Sequence, residues 1–254
     1  MVGQVPDLWS ECQGNQHVVA RNFEAWRVVE GQHVVSTRKL VATLAEQEVL
    51  EALLDEAKPL LPDDPLLRRL HYLLFTPFRY PPLRHGSRFG VRLERGIWYG
   101  ALARSTALAE RAYYRLLFLA GTAAELAPLC TEETVFRAAV ASQRVVDFTA
   151  PNFAAVTARI SAPDTYAHSQ PVGAHMREAN VEACLFLSAR DPDHGVNCAL
   201  FAPAFASPQP IGPETWVCTA RTEAIDFRNR VLGLGVEFAR GVFEVGGTLP
   251  QPGV

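Results

Sequence analysis

The first third of the chain has the apolar spacing of helices. Over residues 36–58, leucines and valines recur at three- and four-residue steps and are interleaved with acidic residues, which predicts an amphipathic helix. A second, shorter helix is expected over 66–74, because the backbone before Pro77 disfavours helical geometry. We therefore expect an N-terminal helical extension over residues 1–75.

The pattern changes after Thr76, where prolines and glycines separate short apolar runs, as is typical of loops and strands. Residues 96–100 predict a buried strand. Ser105 or Thr106 is expected to cap a helix that runs to about Ala120. The remaining predicted elements are a helix over 166–178 and strands over 144–149, 183–188, 198–202, 216–219 and 224–227.

The length of 254 residues is enough for one large domain, or for one domain with an appendage. We expect the main domain to occupy residues 76–245, after the N-terminal extension. Residues 246–254 are rich in glycine and proline, which predicts a flexible tail.

Composition and charge limit the classes of partner. The formal net charge is −3 and there is no long basic run, so we expect no direct binding to nucleic acid. Five cysteines, an odd number without a Cys-x-x-Cys pair, disfavour a disulfide framework and a zinc site, and favour reduced thiols in the cytoplasm. The N-terminus lacks the features of a secretory signal, and the most apolar stretch, Leu116 to Leu129, is too short and too broken to span a bilayer.

Several familiar motifs are missing from the sequence. The seven histidines show no metal-binding spacing, so no metal site is expected. Gly233 and Gly235 lack the third glycine of a dinucleotide fingerprint, and neither a phosphate-binding loop nor a Gly-x-Ser-x-Gly elbow occurs. We expect no bound cofactor.

One short region combines two arginines, two tyrosines and a carboxylate. Arg79 and Arg88 flank a loop rich in proline and glycine, and guanidinium groups bind phosphate oxygens in bidentate fashion. Tyr80 and Tyr99 offer rings that stack on flat heterocycles. Glu110 suits the cationic transition state of glycosidic cleavage. Together they suggest a pocket for a nucleotide whose N-glycosidic bond is broken.

Each of these residues also has a plainer interpretation. The arginines can pair with surface carboxylates or extend along the protein surface. Tyr99 can be a core aromatic residue, Glu110 a solvated residue near the favourable end of a helix dipole, and Ser188 the simple end of a strand. On the residues alone these alternatives stay open.

The order of the residues nevertheless resembles the arginine–glutamate–serine signature of the RES-domain family. The residues that carry the resemblance are Arg88, Tyr99, Glu110 and Ser188. The local strings that agree are Gly86-Ser-Arg-Phe89, Thr106-Ala-Leu-Ala-Glu110, Ser188-Ala-Arg190 and Gly195-Val-Asn197. The resemblance covers about residues 76–227, and the segment that follows Trp26 resembles the N-terminal extension of longer members.

The resemblance implies an α+β fold similar to that of ADP-ribosyltransferase toxins, in which a split sheet with surrounding helices forms an NAD cleft. Family members act as toxins of toxin–antitoxin modules and degrade NAD by hydrolysis or phosphorolysis. Their usual partner is an Xre-type antitoxin, which blocks the active site and binds DNA. The chain is therefore expected to cleave the nicotinamide–ribose bond of NAD. A protein ADP-ribosyltransferase and a non-catalytic interaction protein remain alternatives, and a homodimer stays open.

The resemblance also implies roles for individual residues. The expected catalytic residues are Glu110, Arg88 and Ser188, and the expected NAD-binding residues are Arg79, Tyr80, Arg88, Tyr99 and Ser188. Arg79, in a Phe-Arg-Tyr context, matches the first pocket arginine of the family. Glu110 would stabilise the oxocarbenium-like transition state, while the arginines neutralise the pyrophosphate. Tyr99 would pack against nicotinamide or its ribose, and Ser188 would hydrogen-bond nearby.

Overall fold

The computed structural model describes residues 7–31, 41–60, 63–82, 85–124 and 128–252. Its helices are α1 (Leu8–Glu11), α2 (Leu44–Glu56), α3 (Tyr72–Arg79), α4 (Arg104–Ala120), α5 (Ala154–Ile160) and α6 (Ser169–Glu178). Its strands are β1 (Val19–Glu30), β2 (Trp98–Ala101), β3 (Leu129–Asp147), β4 (Ala183–Leu187), β5 (Val196–Leu200), β6 (Ile211–Ala220), β7 (Ala224–Asn229) and β8 (Leu234–Ala239). The expected α+β class is confirmed.

The long strand β3 organises the sheet because it has different neighbours along its length. Its first part lies between β1 and β6, and both pairings are antiparallel. Its last residues, from Val145 to Asp147, pair in parallel with β4. The sheet therefore divides into one part with the order β1–β3–β6–β7–β8 and a second part with the order β3–β4–β5–β2.

The two parts of the sheet approach each other again at β1 and β2. A single antiparallel pair, Trp26 with Ala101, joins these strands. β1, which runs alongside β3, thereby also contacts β2 of the second part. The structure thus has the split sheet that was expected, and the space beside this junction holds the cavity described below.

Each part of the sheet is covered by its own helix layer. The residues of α4 at the buried positions Leu108, Ala109, Ala112, Tyr113 and Leu116 pack against the apolar faces of β6, β7 and β8. α5 and α6 cover β4 and β5 in a separate apolar cluster, and α3 contributes to a third. The three- and four-residue spacing in α4 is the reason that this helix could be predicted.

The start of α4 differs from the expectation. The helix begins at Arg104 after Ala103, which makes no side-chain capping bond. Neither Ser105 nor Thr106 is the N-cap. The Thr106 hydroxyl instead donates a hydrogen bond of 2.6 Å to Asp191, a residue of the loop after β4. A side chain expected to serve local structure therefore makes a tertiary contact.

The helix predicted over 36–58 is confirmed in part. α2 begins at Leu44, and the proposed start near residue 36 lies outside the described residues. A reciprocal pair of hydrogen bonds forms a capping box at its start, because Thr43 Oγ1 accepts from Glu46 N and the Glu46 carboxylate accepts from Thr43 N. Most of its large apolar residues are exposed, including Val49 and Leu53.

Other elements differ from the sequence prediction. β1 and β8 were not predicted, and β3 begins at Leu129 rather than at residue 144. α3 continues through Pro77, although a helix end was expected before it. The division of the chain at residue 75 stays a prediction, and the structure shows that β1, on the N-terminal side of that boundary, pairs with β3.

Two residues of the predicted flexible tail, Leu249 and Pro250, are buried, whereas residues 246–248 and 251 are exposed. Leu249 is 8% exposed and lies in the apolar cluster of α4. The Tyr113 hydroxyl donates a hydrogen bond of 2.5 Å to the Pro250 carbonyl. The flexibility of the tail stays a prediction. The burial of Leu249 could not be foreseen, because glycine and proline content carries no information on a distant apolar surface. No helix among the described residues has the length and hydropathy needed to cross a bilayer.

Replacing Leu249 with alanine is expected to lower the free energy of unfolding by about 2 kcal/mol, because it leaves a cavity in a packed cluster. The matched control is Leu93→Ala, since Leu93 is 95% exposed. The control should change the free energy of unfolding by less than about 0.5 kcal/mol. Urea unfolding curves measure both, and equal effects would contradict a packed C-terminal segment.

Candidate active site

A cavity of about 320 Å³ lies between α4, the β1–β2 junction and the loops around Arg88 and Arg190. Its volume is in the range of small-molecule sites. The lining residues with side-chain chemistry or rings are Trp26, Arg27, Ser87, Arg88, Tyr99, Glu110, Arg111, Tyr114, Tyr166, Phe186, Arg190 and Asn197. Three predicted site residues, Arg88, Tyr99 and Glu110, therefore line one cavity, and Ser188 contacts Glu110 from behind it.

Glu110 is the one carboxylate among the residues that line this cavity. It lies in the second turn of α4, and the buried stripe of that helix fixes its position. Its Oε1 accepts two hydrogen bonds, from Ser188 Oγ at 2.7 Å and from Asn197 Nδ2 at 2.5 Å. Both donors bind the same oxygen, so the carboxylate is held in one orientation from the side of β4 and β5.

Ser188 lies behind Glu110 rather than in the cavity wall. Its side chain is 2% exposed, and its Oγ accepts hydrogen bonds from the backbone amides of Arg190 and Asp191 at 3.1 and 3.0 Å. With its oxygen occupied by two donors, the hydroxyl proton is directed to Glu110. Ser188 is therefore placed to orient the carboxylate, and the structure does not bring it to the cavity as a ligand-contacting residue.

The loop from Ser188 to Gly195 is fastened to the first turn of α4. Asp191, which is 6% exposed, accepts the hydrogen bond from Thr106. A side chain at Gly195 would come within 2.1 Å of Thr106 Oγ1 and 2.5 Å of Asp191 Oδ2, so the close approach requires glycine. This contact keeps the serine in register with the helix that carries Glu110.

Arg88 lies in the cavity wall with its cation largely buried. Its Nη1 donates to the carbonyls of Ile160 and Ala162 at 2.9 and 3.0 Å, at the C-terminal end of α5. Its guanidinium carbon is 5.3 Å from the ring centre of Tyr166 and 5.8 Å from that of Phe186. Carbonyl dipoles and ring faces partly offset the charge, and the cation keeps its attraction for an anion.

Tyr99 holds the loop that carries Arg88. Its hydroxyl is 2.9 Å from Ser87 Oγ and accepts from the Phe89 amide at 3.1 Å. Burial raises the pKa of Tyr99 well above its usual value, so the phenol stays neutral. Gly86 begins this loop with a φ of +76°, and a side chain there would meet the Gly90 carbonyl at 2.3 Å. The hydroxyl is thus used for positioning, while the ring lines the cavity.

Arg27 of β1 is a cavity residue that the sequence analysis did not assign. Its Nη1 donates to the Tyr99 carbonyl, and its guanidinium lies 5.3 Å from the Trp98 ring centre. Its Nε is buried and has no hydrogen-bond partner among the described residues. Burial lowers the pKa of Arg27 to about 10, so the side chain remains a cation at neutral pH.

Arg190 is the most enclosed cation of the cavity. It is 4% exposed, and its guanidinium carbon lies 3.7 Å from the centre of the Tyr113 ring. Nη2 donates to the Pro163 carbonyl at 2.7 Å, whereas Nη1 is buried without a partner among the described residues. This unpartnered donor is a second feature that favours an anionic or polar ligand.

Arg111 differs from the other arginines of the cavity because a carboxylate neutralises it. Its Nε and Nη2 donate to the two oxygens of Glu133, each at 3.0 Å. Glu133 is fully buried and also accepts from Arg115 at 2.6 Å. The network fixes α4 to β3, one residue after Glu110. Two cations pair with this buried carboxylate, so loss of either arginine would leave charge in the core without full compensation.

The charges of the cavity are unbalanced in favour of cations. Arg27, Arg88 and Arg190 have carbonyl and ring contacts, and within the described residues none of them forms an ion pair. One lining carboxylate, Glu110, is present. Such a site attracts an anionic group to the arginines and leaves a single carboxylate for a cationic or hydroxyl-bearing group.

Arg79 and Tyr80 are not brought to this cavity. Arg79 ends α3 and donates its Nε to the Pro59 carbonyl at 2.5 Å, and Tyr80 is 38% exposed beside Lys58 and Leu54 of the N-terminal segment. Their assignment to the NAD site is therefore corrected. Pro77 does not end the helix, so the two residues extend toward α2 rather than forming a loop with Arg88.

The residues that sequence reasoning missed were Arg27, Arg111, Tyr166, Arg190 and Asn197. Arg190 and Asn197 lay inside strings that resembled the family, and their position beside the serine was the available signal. Arg27 sits in Trp-Arg-Val and had no local signal, because only the pairing of β1 brings it to the cavity. Among the described residues, no cluster of histidine, cysteine, aspartate and glutamate side chains could hold a metal ion.

Comparisons with known proteins give a family and one similar structure. A family model described as RES domain matches residues 65–220, a segment that contains the cavity residues from Ser87 to Asn197 but not Arg27. No protein of curated function matches the sequence. A chain of the crystal structure of the M.tuberculosis MbcT-MbcA toxin-antitoxin complex is similar over 77% of this chain and 82% of that chain, with 13% sequence identity and a TM-score of 0.44.

Replacing Arg27 with methionine is expected to weaken the binding of inorganic pyrophosphate by about tenfold to a hundredfold, the effect of losing one charge-assisted contact. The folded-state pKa of Arg27 lies below its unfolded value, so the cation opposes folding at every pH below about 10. This opposition is lost as the pH rises from about 10 to the ordinary pKa of arginine. The thermal midpoint of the variant should therefore not fall at neutral pH. Isothermal titration calorimetry and thermal unfolding measure the two effects.

The matched control is Arg21→Met, because Arg21 lies on the same strand and pairs with Asp147 on the surface. Its pyrophosphate affinity should equal that of the unmodified protein. Equal weakening in both variants would mean that general charge, and not the cavity, binds the anion.

Proposed function

The chain belongs to the RES domain family, and from this premise we propose that it is an enzyme that degrades NAD by cleaving the bond between nicotinamide and ribose. The observation that carries the proposal is the charge arrangement of the cavity. Glu110 is the one lining carboxylate, and Arg27, Arg88 and Arg190 line the same cavity. A dinucleotide has matching parts, with two negative phosphates next to a ribose whose bond to nicotinamide can break.

The chemistry of the bond explains the need for a carboxylate. Nicotinamide leaves as a neutral base, so positive charge develops on the ribose as the bond lengthens. A carboxylate held near that carbon stabilises the oxocarbenium-like transition state more than the ground state. Glu110 meets this requirement because two donors fix one of its oxygens, and its orientation therefore does not have to change during the reaction.

The arginines supply the binding energy for the diphosphate. Arg27 and Arg190 each keep one buried nitrogen without a partner among the described residues, and a phosphate oxygen can accept from either. The rings of Tyr99, Tyr166 and Phe186 line the same cavity and offer flat apolar surface to the nicotinamide. Binding at the phosphates would place the ribose near Glu110 and so lower the entropic cost of reaching the transition state.

Ser188 acts on the substrate indirectly in this proposal. It orients Glu110 and takes no part in covalent chemistry, because its oxygen accepts two backbone amides. Tyr99 has a comparable positioning role for the loop of Arg88. The atom that attacks the ribose, whether from water or from phosphate, enters the cavity from solvent.

We place this activity in a toxin that is controlled by an Xre-type antitoxin in the cytoplasm. Membership of the RES domain family supports the toxin role. Loss of NAD would harm the cell that makes the enzyme, so a protein that covers the cavity is needed. The net charge of −3 makes the chain a poor ligand for DNA on its own, and the partner would supply DNA binding.

Replacing Glu110 with glutamine should lower the rate of NAD loss by about a hundredfold to a thousandfold, since it removes the charge that stabilises the transition state. Glutamine keeps the size of the side chain, so the thermal midpoint should change little. Incubation of purified protein with NAD, with and without phosphate, followed by chromatography of the products, gives the rate and the attacking group.

The matched control is Glu223→Gln, because Glu223 is exposed in the turn between β6 and β7. Its rate should equal that of the unmodified enzyme. Full NAD loss by Glu110→Gln would contradict the assigned role of the carboxylate, and no NAD loss by the unmodified enzyme would contradict the proposed activity.

Expression of the unmodified chain without a partner is expected to stop bacterial growth and to lower the cellular NAD content, while Glu110→Gln should allow growth. Induced cultures with matched protein levels, measured by immunoblot, test this. Growth arrest by both variants with unchanged NAD would indicate toxicity from another cause.

A further inference from the structure

Asn197 lies beside Glu110 and has a side-chain acceptor that no hydrogen bond within the described residues satisfies. The residue lies on β5, is 5% exposed and lines the cavity beside Glu110. Its Nδ2 donates to Glu110 Oε1 at 2.5 Å. Its Oδ1 is buried and has no hydrogen-bond partner among the described residues. Buried amide oxygens are normally satisfied, so this one indicates a partner that binds from the cavity.

The orientation of the Asn197 amide follows from its neighbour. An ionised carboxylate accepts hydrogen bonds and donates none, so the NH₂ group must face Glu110. Oδ1 then points away from Glu110. The carboxylate thus determines which of the two amide atoms is the nitrogen. Both hydrogen bonds to the carboxylate are made to Oε1, so Glu110 Oε2 receives neither of them. Glu110 Oε2 and Asn197 Oδ1 are thus two acceptors on adjacent side chains.

We propose that Asn197 is a substrate-binding residue that accepts a hydrogen bond from one hydroxyl of the nicotinamide ribose, while Glu110 accepts from the neighbouring hydroxyl. This inference rests on the proposed NAD-degrading function. Two adjacent acceptors are complementary to the two adjacent donors of a ribose cis-diol. They are not complementary to phosphate, whose oxygens are acceptors and would be repelled by the carboxylate.

The pair also gives Asn197 two separable roles. Through Nδ2 it helps to orient Glu110, and through Oδ1 it contacts the ligand. Ser188 provides the comparison, because it makes the same kind of bond to Glu110 Oε1 but does not line the cavity. A substitution at Ser188 therefore removes orientation alone, and a substitution at Asn197 removes both orientation and contact.

The test compares NAD with two analogues that lack either the 2′- or the 3′-hydroxyl of the nicotinamide ribose. In the unmodified enzyme, loss of the hydroxyl that faces Asn197 should lower kcat/KM by about tenfold. In Asn197→Ala the same analogue should be used about as well as NAD, because the acceptor is already gone. In Ser188→Ala both substrates should slow equally, and the tenfold preference should remain.

The outcomes separate the inference from the function on which it rests. If Asn197→Ala keeps the full preference for both hydroxyls, the ligand contact is overturned while NAD degradation stands. If Ser188→Ala loses the preference as fully as Asn197→Ala, orientation of Glu110 explains the effect and the contact is again overturned. If the unmodified enzyme neither binds nor consumes NAD, the proposed function fails and the inference fails with it.

A second variant at position 197 tests whether the result depends on a folding defect of Asn197→Ala. Asn197→Leu keeps most of the side-chain volume and removes both polar atoms, so it should show the same loss of preference as Asn197→Ala if it folds. Thermal unfolding identifies the variants that are folded before kinetics are measured. A folded Asn197→Leu enzyme with unchanged preference would overturn the inference without reference to the alanine variant.

Discussion

The hydrogen bonds that Ser188 and Asn197 donate to one oxygen of Glu110 connect the two parts of the molecule. Glu110 is carried by α4, which packs on the sheet of β6, β7 and β8. The two donors belong to the β4–β5 part, which has its own core with α5 and α6. Since the two cores are separate, the direction of the carboxylate depends on these bonds and on the Thr106–Asp191 contact beside them.

The cations around this carboxylate oppose folding and favour the binding of an anionic ligand. A buried guanidinium without an ion pair loses hydration, and for Arg27 this loss lowers the pKa to about 10. Arg111 shows the alternative within the same cavity, where Glu133 neutralises the charge and the residue serves the fold. The contrast identifies Arg27, Arg88 and Arg190 as residues that remain available to a ligand.

Sequence patterns identified the elements that have their own apolar face. α4 could be predicted because its buried stripe is complete within the helix, and Glu110 was placed correctly on it. β3 was missed over its first half because Glu133 is buried there, and this breaks the alternation of apolar and polar residues. Only the distant Arg111 and Arg115 make that burial tolerable. β1 was missed because most of its first half is exposed.

The candidate site could be predicted only where its residues are close in sequence or lie in a recognisable string. Arg79 and Arg27 are both arginines beside aromatic residues, and nothing local distinguishes them. The pairing of β1 with β3 and β2 brings Arg27 to the cavity, whereas the continuation of α3 through Pro77 takes Arg79 to Pro59. The role of Ser188 also required the structure, because the two amides that occupy its oxygen belong to a loop.

The most direct test is a crystal structure of the Glu110→Gln variant with NAD bound. The account predicts that the bond between nicotinamide and ribose lies beside residue 110, with the diphosphate against Arg27, Arg88 and Arg190. A dinucleotide bound elsewhere on the protein, or one whose diphosphate lies beside residue 110, would contradict it.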